Sequence, residues 1–147
     1  MTPKRPRPLE FRMTLVIAAR PSKVWKALVT GRMLKKWYMQ PVKLQLRKGG
    51  HWDFQYLQGK VLEVEKGRKL VHTFDWTAQG RRHLSRCTWL LEASPKPKGR
   101  YSKLTLIHNG FRRDRSAHQG VSGGWIGILS SLKTWMETGK LISEFHT

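Results

Sequence analysis

YSKLTLIHNG (residues 101–110), read together with the stretch from Val121 to Met136, decides the fold, because the chain changes period between them. In the first stretch Leu104, Leu106 and His108 fall on one face of an alternating run, which is the signature of a strand with one side turned inward. Asn109-Gly110 closes that run. From about Ser116 the apolar spacing becomes three and four, through Val121, Trp125, Ile128, Leu129, Leu132, Trp135 and Met136, which predicts a long amphipathic helix. Gly120, Gly123, Gly124 and Gly127 lie near its start, each costing about 1 kcal/mol against Ala in an exposed helix. Two readings fit them: close approach of another backbone or of a ligand, or irregular first turns.

Working backwards, alternation persists for more than sixty residues after Pro41. Val42, Leu44 and Leu46 make one strand face, and Lys48-Gly49-Gly50 supplies a turn where positive φ is easy. Trp52, Phe54 and Tyr56 line the next strand, and Gln58-Gly59 reads as its turn. Leu62 and Val64 then alternate with Glu63 and Glu65 up to a turn at Lys66-Gly67-Arg68. Leu70, His72, Phe74 and Trp76 share a further face, Thr77 to His83 reads as a polar loop, and Leu84 to Ala93 as the next strand. Two prolines and a glycine make Ser94 to Gly99 a loop. Nearer the start, Leu9 to Ala18 alternates as a first strand. Pro21 opens a short helix carrying Val24, Trp25 and Leu28, and Thr30-Gly31 stops it. Thr30 caps a second helix with Met33, Leu34, Trp37 and Tyr38 on one stripe, ended by Pro41.

A chain of 147 residues is the length of one domain, able to bury about 70% of its unfolded surface. Residues 1–8, with three prolines among Lys and Arg, read as a flexible basic arm, and 9–147 as a single domain. The lone cysteine, Cys87, excludes an intramolecular disulfide and a Cys-based zinc framework, and alternation with Trp89 and Leu91 makes it a buried thiol. Nowhere do eighteen apolar residues run together, so no membrane span is expected. The composition suits a cytoplasmic protein. The formal net charge of +20 is the least ordinary feature. No Asp or Glu occurs between Glu10 and Asp53, an interval holding ten Lys and Arg residues. A field of that sign attracts polyanions, although a solvated basic surface that confers only solubility has the same composition.

Three sets of residues carry a family resemblance. They are Ala19-Arg20-Pro21-Ser22-Lys23-Val24-Trp25-Lys26-Ala27-Leu28 with Leu34-Lys35-Lys36-Trp37; Lys48-Gly49-Gly50-His51-Trp52-Asp53-Phe54; and Gly59 to Glu65 followed by Leu70-Val71-His72-Thr73-Phe74. With Leu104 to Phe111 and Gly123-Gly124-Trp125, this order resembles the START-like (SRPBCC, helix-grip) superfamily, which includes polyketide cyclases and the birch pollen allergen. It is most similar to the branch named after the C-terminal domain of the 90-kDa heat-shock protein ATPase activator. The resemblance covers roughly Phe11 to Glu137. It implies an α+β helix-grip fold, a curved antiparallel sheet wrapped around a long C-terminal helix with two short helices after the first strand. It also implies a cavity between sheet and helix, and roles that run from hydrophobic ligand binding to chaperone assistance and occasional catalysis. The large positive charge departs from the branch's usual acidic or near-neutral members.

If the alternating faces point at the long helix, Trp52, Phe54, Tyr56, Leu70, His72, Phe74, Trp76, Leu104, Leu106 and His108 wall one space with Trp125 and Leu129, and Trp37 joins them from the second helix. Such a space suits a hydrophobic or aromatic small molecule, with His72, His108 and Tyr56 as its polar groups. The same rings serve equally as core filling. Catalysis has weaker support: no Ser–His–Asp context or phosphate-binding glycine loop is present, and acid–base work would fall to His72 or His108. Asp53 and Asp75 lie on the opposite strand faces. The six histidines show no metal-ligand spacing, so no metal and no cofactor are expected. The competing expectation is an interaction module, chaperone-associated, that binds an acidic protein or other polyanion. Its basic surface would comprise Lys23, Lys26, Lys35, Lys36, Arg47, Lys48, Arg81, Arg82, Arg112 and Arg113. Aromatics do not clearly interleave these stretches, which disfavours single-stranded nucleic acid.

Overall fold

A computed structural model describes residues 8–38, 42–54, 57–78 and 80–142 of the chain. The alternating stretches form the strands β1 (Phe11–Ile17), β2 (Lys43–Leu44), β3 (His51–Phe54), β4 (Leu57–Glu65), β5 (Lys69–Ala78), β6 (Arg81–Ala93) and β7 (Ser102–Asn109). The stretches of helical period form α1 (Pro21–Val29), α2 (Gly31–Tyr38) and α3 (Arg115–Thr138). The strands make one antiparallel sheet in the order β1-β7-β6-β5-β4-β3-β2. Sequence neighbours pair from β2 to β7, and β1 crosses over to lie beside β7 in the register Phe11↔His108 to Ile17↔Ser102. The curved sheet wraps α3, which is the helix-grip architecture.

Local chemistry sets the helix ends. Arg20, before a proline, is extended (φ −66°, ψ 147°) and Pro21 begins α1. Thr30 is extended too, and its carbonyl accepts from the amides of Met33 and Leu34, which turns the chain directly into α2. Asp114 caps α3 by accepting from the Ala117 amide at 3.0 Å, and Gly139 ends it in the left-handed region at φ 74°.

Three buried hydrogen bonds tie these helices together and to the sheet. The Trp37 indole donates to the Ala27 carbonyl at 2.8 Å, Ser131 Oγ to the Trp37 carbonyl at 2.7 Å, and Ser102 Oγ to the Ala19 carbonyl at 2.6 Å. Around them Ile17, Val24, Leu28, Leu104, Leu129 and Leu132 are buried in one core.

Four local expectations are corrected. The strand through Val42, Leu44 and Leu46 shrinks to Lys43–Leu44, with Leu46 39% exposed, because the chain folds back early: the Gln45 amide donates to the His51 carbonyl and the Gly50 amide to the Arg47 carbonyl. A Cβ on Gly50 would lie 2.2 Å from the Gln45 carbonyl oxygen, so only glycine permits that reversal. Gln58-Gly59 is no turn; it lies inside β4, where Gly59 pairs with Trp52 and a Cβ would come 2.0 Å from the Thr73 carbonyl oxygen. An irregularity between Val61 and Glu63 shifts the register of β4 against β5, so Val61 is buried while Leu62 is half-buried. Finally, Thr77 to His83 is not a loop throughout. The ladder continues through Trp76↔His83, Thr77↔Arg82 and Ala78↔Arg81, carrying the β5–β6 hairpin well past the core.

Candidate functional site

Of the aromatic and apolar side chains expected to wall one internal space, eight fill the core instead of facing a void. Trp37, Trp52, Leu70, His72, Leu104, Leu106, His108 and Leu129 are all buried to 5% exposure or less. Trp52 stacks on His72 with ring centroids 4.8 Å apart and sits 5.5 Å from Phe74. Phe54, Phe74, Trp76 and Trp125 do reach a surface groove. Tyr56 lies outside the described residues.

The two core histidines have both ring nitrogens engaged. His72 Nδ1 faces the Thr73 carbonyl at 2.9 Å, so it carries the proton and donates, while Nε2 accepts from the Trp89 indole at 3.1 Å. His108 Nδ1 accepts from the Trp125 indole at 2.8 Å, so its Nε2–H donates to Ser85 Oγ at 2.6 Å, and Ser85 donates in turn to the Phe74 carbonyl at 3.2 Å. Burial lowers His72 to a pKa of about 4. Burial first, and then the nearby charges of His72 and His118, lower His108 to about 3. Both rings are neutral at physiological pH and spend their polar atoms on the protein itself. Burial likewise raises the Cys87 thiol, so no thiolate forms there.

The groove lies between the first half of α3 and the ends of β3, β4 and β5, with a volume of about 650 Å³. Tyr38, Phe54, Leu57, Phe74, Trp76, Val121, Trp125 and Ile128 form its apolar lining. Gly120 and Gly124 line it as well, and a Cβ at either would meet no atom within 4 Å. The helix is regular through them and no other backbone approaches. They therefore leave room on that face and do not serve helix packing.

Its polar edge is a cluster on the β5–β6 hairpin and the start of α3. The His83 ring stacks on Trp76 at 4.8 Å, and its Nδ1 meets Asp114 Oδ2 at 2.5 Å. Arg81 approaches the same carboxylate at 3.6 Å. The Ala117 amide above all, then the His83 hydrogen bond and the charges of Arg81 and His83, hold Asp114 below the usual carboxylate range.

Beyond that edge a cleft of about 960 Å³ is lined by Arg81, Arg82, Arg86, Arg112 and Arg113, with Asp114 as its one carboxylate among the described residues. Arg82 donates three hydrogen bonds to the Asp75 carboxylate, the shortest 2.7 Å. Among the described residues, Arg86, Arg112 and Arg113 have no ion pair. Arg112 is held in the left-handed region at φ 56°, where a side chain is strained. The other expected basic residues lie elsewhere. Lys23 and Lys26 border a hollow of about 440 Å³ with Arg20 and Arg100, and Lys35, Lys36, Arg47 and Lys48 are exposed on α2 and the turn before β3. Among the described residues no group of three or more His, Cys, Asp or Glu is placed to hold a metal, and no helix is long and apolar enough to cross a membrane.

Reading the sequence missed His83, Asp114 and Leu57. The available signal for Asp114 was its place three residues before Ala117 at the foot of a helix. His83 had none beyond continued alternation in the hairpin.

The sequence profile of the Activator of Hsp90 ATPase homolog 1-like proteins matches residues 18–137, from the end of β1 to the last turn of α3. The chain belongs to that family. As an AHSA1-like protein it shares its fold with several solved structures. A protein from Mesorhizobium loti superposes with a TM-score of 0.76 at 24% identity, covering 85% of this chain and 94% of the other. An HSP90 activator from Plasmodium falciparum gives 0.74 at 18% identity, covering 86% and 94%. The Aha1 dimer from Colwellia psychrerythraea, solved in solution, gives 0.72 at 19% identity, covering 89% and 98%. No curated protein matches the sequence. At these identities the structures establish the helix-grip fold, and what the AHSA1-like chain binds has to be argued from its own surface.

Proposed function

We propose that this AHSA1-like chain is a non-catalytic interaction module that binds an acidic segment of a partner protein in its arginine cleft. The observation that carries the reading is the excess of five arginines over one carboxylate in a single concave surface, three of the five without an ion pair among the described residues. Planar guanidinium groups with unspent donors suit carboxylates geometrically, and their clustering costs self-repulsion that a bound anion relieves. The similarity to an HSP90 activator makes a chaperone-associated partner the natural context.

The test is fluorescence anisotropy of a labelled Asp/Glu-rich peptide against wild type and Arg86→Gln/Arg113→Gln, at 50 mM and 300 mM salt. Binding is expected to weaken about tenfold or more in both the variant and high salt, because the contacts are charged and solvent-facing. Affinity unmoved by either change contradicts the reading. Tighter binding of a single-stranded oligonucleotide than of the peptide would assign the cleft to nucleic acid.

A second reading, a hydrophobic small molecule, is favoured by one observation of its own: the apolar groove kept open at Gly120 and Gly124. A groove of about 650 Å³ falls within the ordinary range of small-molecule sites.

A further inference from the structure

A second concentration of positive charge stands at the opposite end of the sheet from the arginine cleft. β6 runs from Arg81 at the cleft to Ala93, a span of about 40 Å, and the hollow of about 440 Å³ lies beyond that far end. Arg20, Lys23, Lys26 and Arg100 line it with Ala18, Ala19, Ser22 and Met136, so the lining holds four cations and no carboxylate. None of the four has an ion pair among the described residues. The acid beside the hollow, Glu137, is already spent: it accepts from the Ala18 amide at 2.8 Å and from Lys133 at 2.7 Å.

Spacing and hydrogen bonds fix where these charges sit. Arg20, Lys23 and Lys26 follow at intervals of three, which sets them along one side of α1. Arg100 comes from the β6–β7 connection, whose shape Ser94 holds. The Ser94 hydroxyl donates to the Pro97 carbonyl at 2.8 Å and accepts from the Tyr101 amide at 3.1 Å, while the Gly99 amide donates to the Ser94 carbonyl at 3.1 Å. The buried Ser102 Oγ then joins the two carriers by donating to the Ala19 carbonyl at 2.6 Å. Cations from two separate segments are thereby held at one hollow before anything binds, which lowers the ordering cost of a ligand.

We infer that the hollow binds an oligophosphate, a short chain of linked phosphoryl groups. Four uncompensated cations around a floor that includes Ala18 and Ala19 suit a compact ligand carrying several charges. Lysine ammonium groups act on phosphoryl oxygens as point charges, and the two guanidinium groups add paired donors. The Ser22 hydroxyl supplies a further donor at the same hollow. An Asp/Glu segment spreads its charge along an extended backbone and is the less dense anion, so hollow and cleft divide the two kinds of ligand. This site is independent of the acidic partner proposed for the cleft.

The experiment titrates the full chain with sodium tripolyphosphate and with orthophosphate by calorimetry, at about 100 mM salt so that the diffuse field is screened. Amide chemical shifts map the tripolyphosphate complex. Tripolyphosphate is expected to bind about tenfold or more tightly than orthophosphate and to move the amides of residues 18–26 and 94–102. Lys23→Gln/Arg100→Gln weakens it about tenfold with the melting temperature unchanged, whereas Lys35→Gln/Lys36→Gln, which removes the same charge from the exposed side of α2, changes it less than about twofold. ATP distinguishes the source of the phosphates: tighter binding than tripolyphosphate assigns the hollow to a nucleotide tail, weaker binding to a free oligophosphate. The proposal is overturned if tripolyphosphate does not bind, if the two double variants weaken it equally, or if its shifts fall on residues 81–86 and 109–115 instead. A single-stranded oligonucleotide held more tightly than tripolyphosphate through Lys23 and Arg100 overturns it in favour of a nucleic-acid backbone. Acidic-peptide binding, read in the same preparation without phosphate, separates failure here from failure of the cleft.

Discussion

Acid should unfold this protein through two specific rings. His72 and His108 have folded pKa values of about 4 and about 3, against about 6.5 in the unfolded chain. The unfolded state thus binds more protons throughout the interval between these values, so stability is complete above pH 6.5 and is lost as pH falls. From pH 7.5 to 4.5 each ring loses about 2.5 kcal/mol, about 5 kcal/mol together, which is comparable to the whole stability of a modest domain. Near pH 5.5 the slope is about 2.4 kcal/mol per pH unit. Asp114 and Glu137, both held below their usual range, add a loss of the same sign at lower pH. The assay is urea unfolding followed by tryptophan fluorescence at half-unit pH steps, in wild type and in His108→Gln, whose amide can both accept from Trp125 and donate to Ser85. His108→Gln should roughly halve the slope between pH 5 and 6. A wild-type slope below about 1 kcal/mol per unit, or one unchanged in the variant, would refute the argument that these rings are held neutral by burial and internal bonding.

Other substitutions separate backbone from side-chain effects. Gly59→Ala places a methyl 2.0 Å from the Thr73 carbonyl oxygen and should destabilise by about 2 kcal/mol or more, read as a lowered denaturation midpoint. Arg112→Gly relieves a left-handed backbone and should raise stability by about 1 kcal/mol while weakening acidic-peptide binding; a less stable variant would contradict the strain argument. Asp114→Ala removes the cap of α3 and frees His83, and should cost about 1 kcal/mol or slightly more in thermal melts.

The elements were legible because the longest of them carry clean periods, and the family resemblance supplied their arrangement as a sheet wrapped around the last helix. Leu70, His72, Phe74 and Trp76 alternate without interruption along β5, and Trp125, Leu129 and Leu132 keep helical spacing along α3, so faces and order followed from spacing. Local sequence failed where tertiary contact decides. Gly59 reads as turn punctuation, yet it is a glycine because the neighbouring strand leaves no space for a Cβ. The polar residues at 81–83 read as a loop because only the ladder with β5, the Asp75–Arg82 pair and the Trp76–His83 stack hold them in a strand.

The candidate site was legible only in part, for a related reason. Periodicity says which rings point inward but not which of them touch one another and which face a void. Trp52 and Phe54 share a strand face; the first is sealed against His72 and the second reaches the groove. The His83–Asp114 contact joins residues 31 apart through the hairpin and the foot of α3, and no spacing announces it. The basic residues were visible by count, whereas their division into an arginine cleft and separate lysine surfaces needed the fold.

Chemical-shift mapping of the isotope-labelled chain, titrated with an Asp/Glu-rich peptide, tests the proposed role most directly. The account predicts that amide shifts concentrate at residues 81–86 and 109–115 around the cleft. Shifts centred on Lys23, Lys26, Lys35 and Lys36, with the cleft amides unmoved, would contradict it.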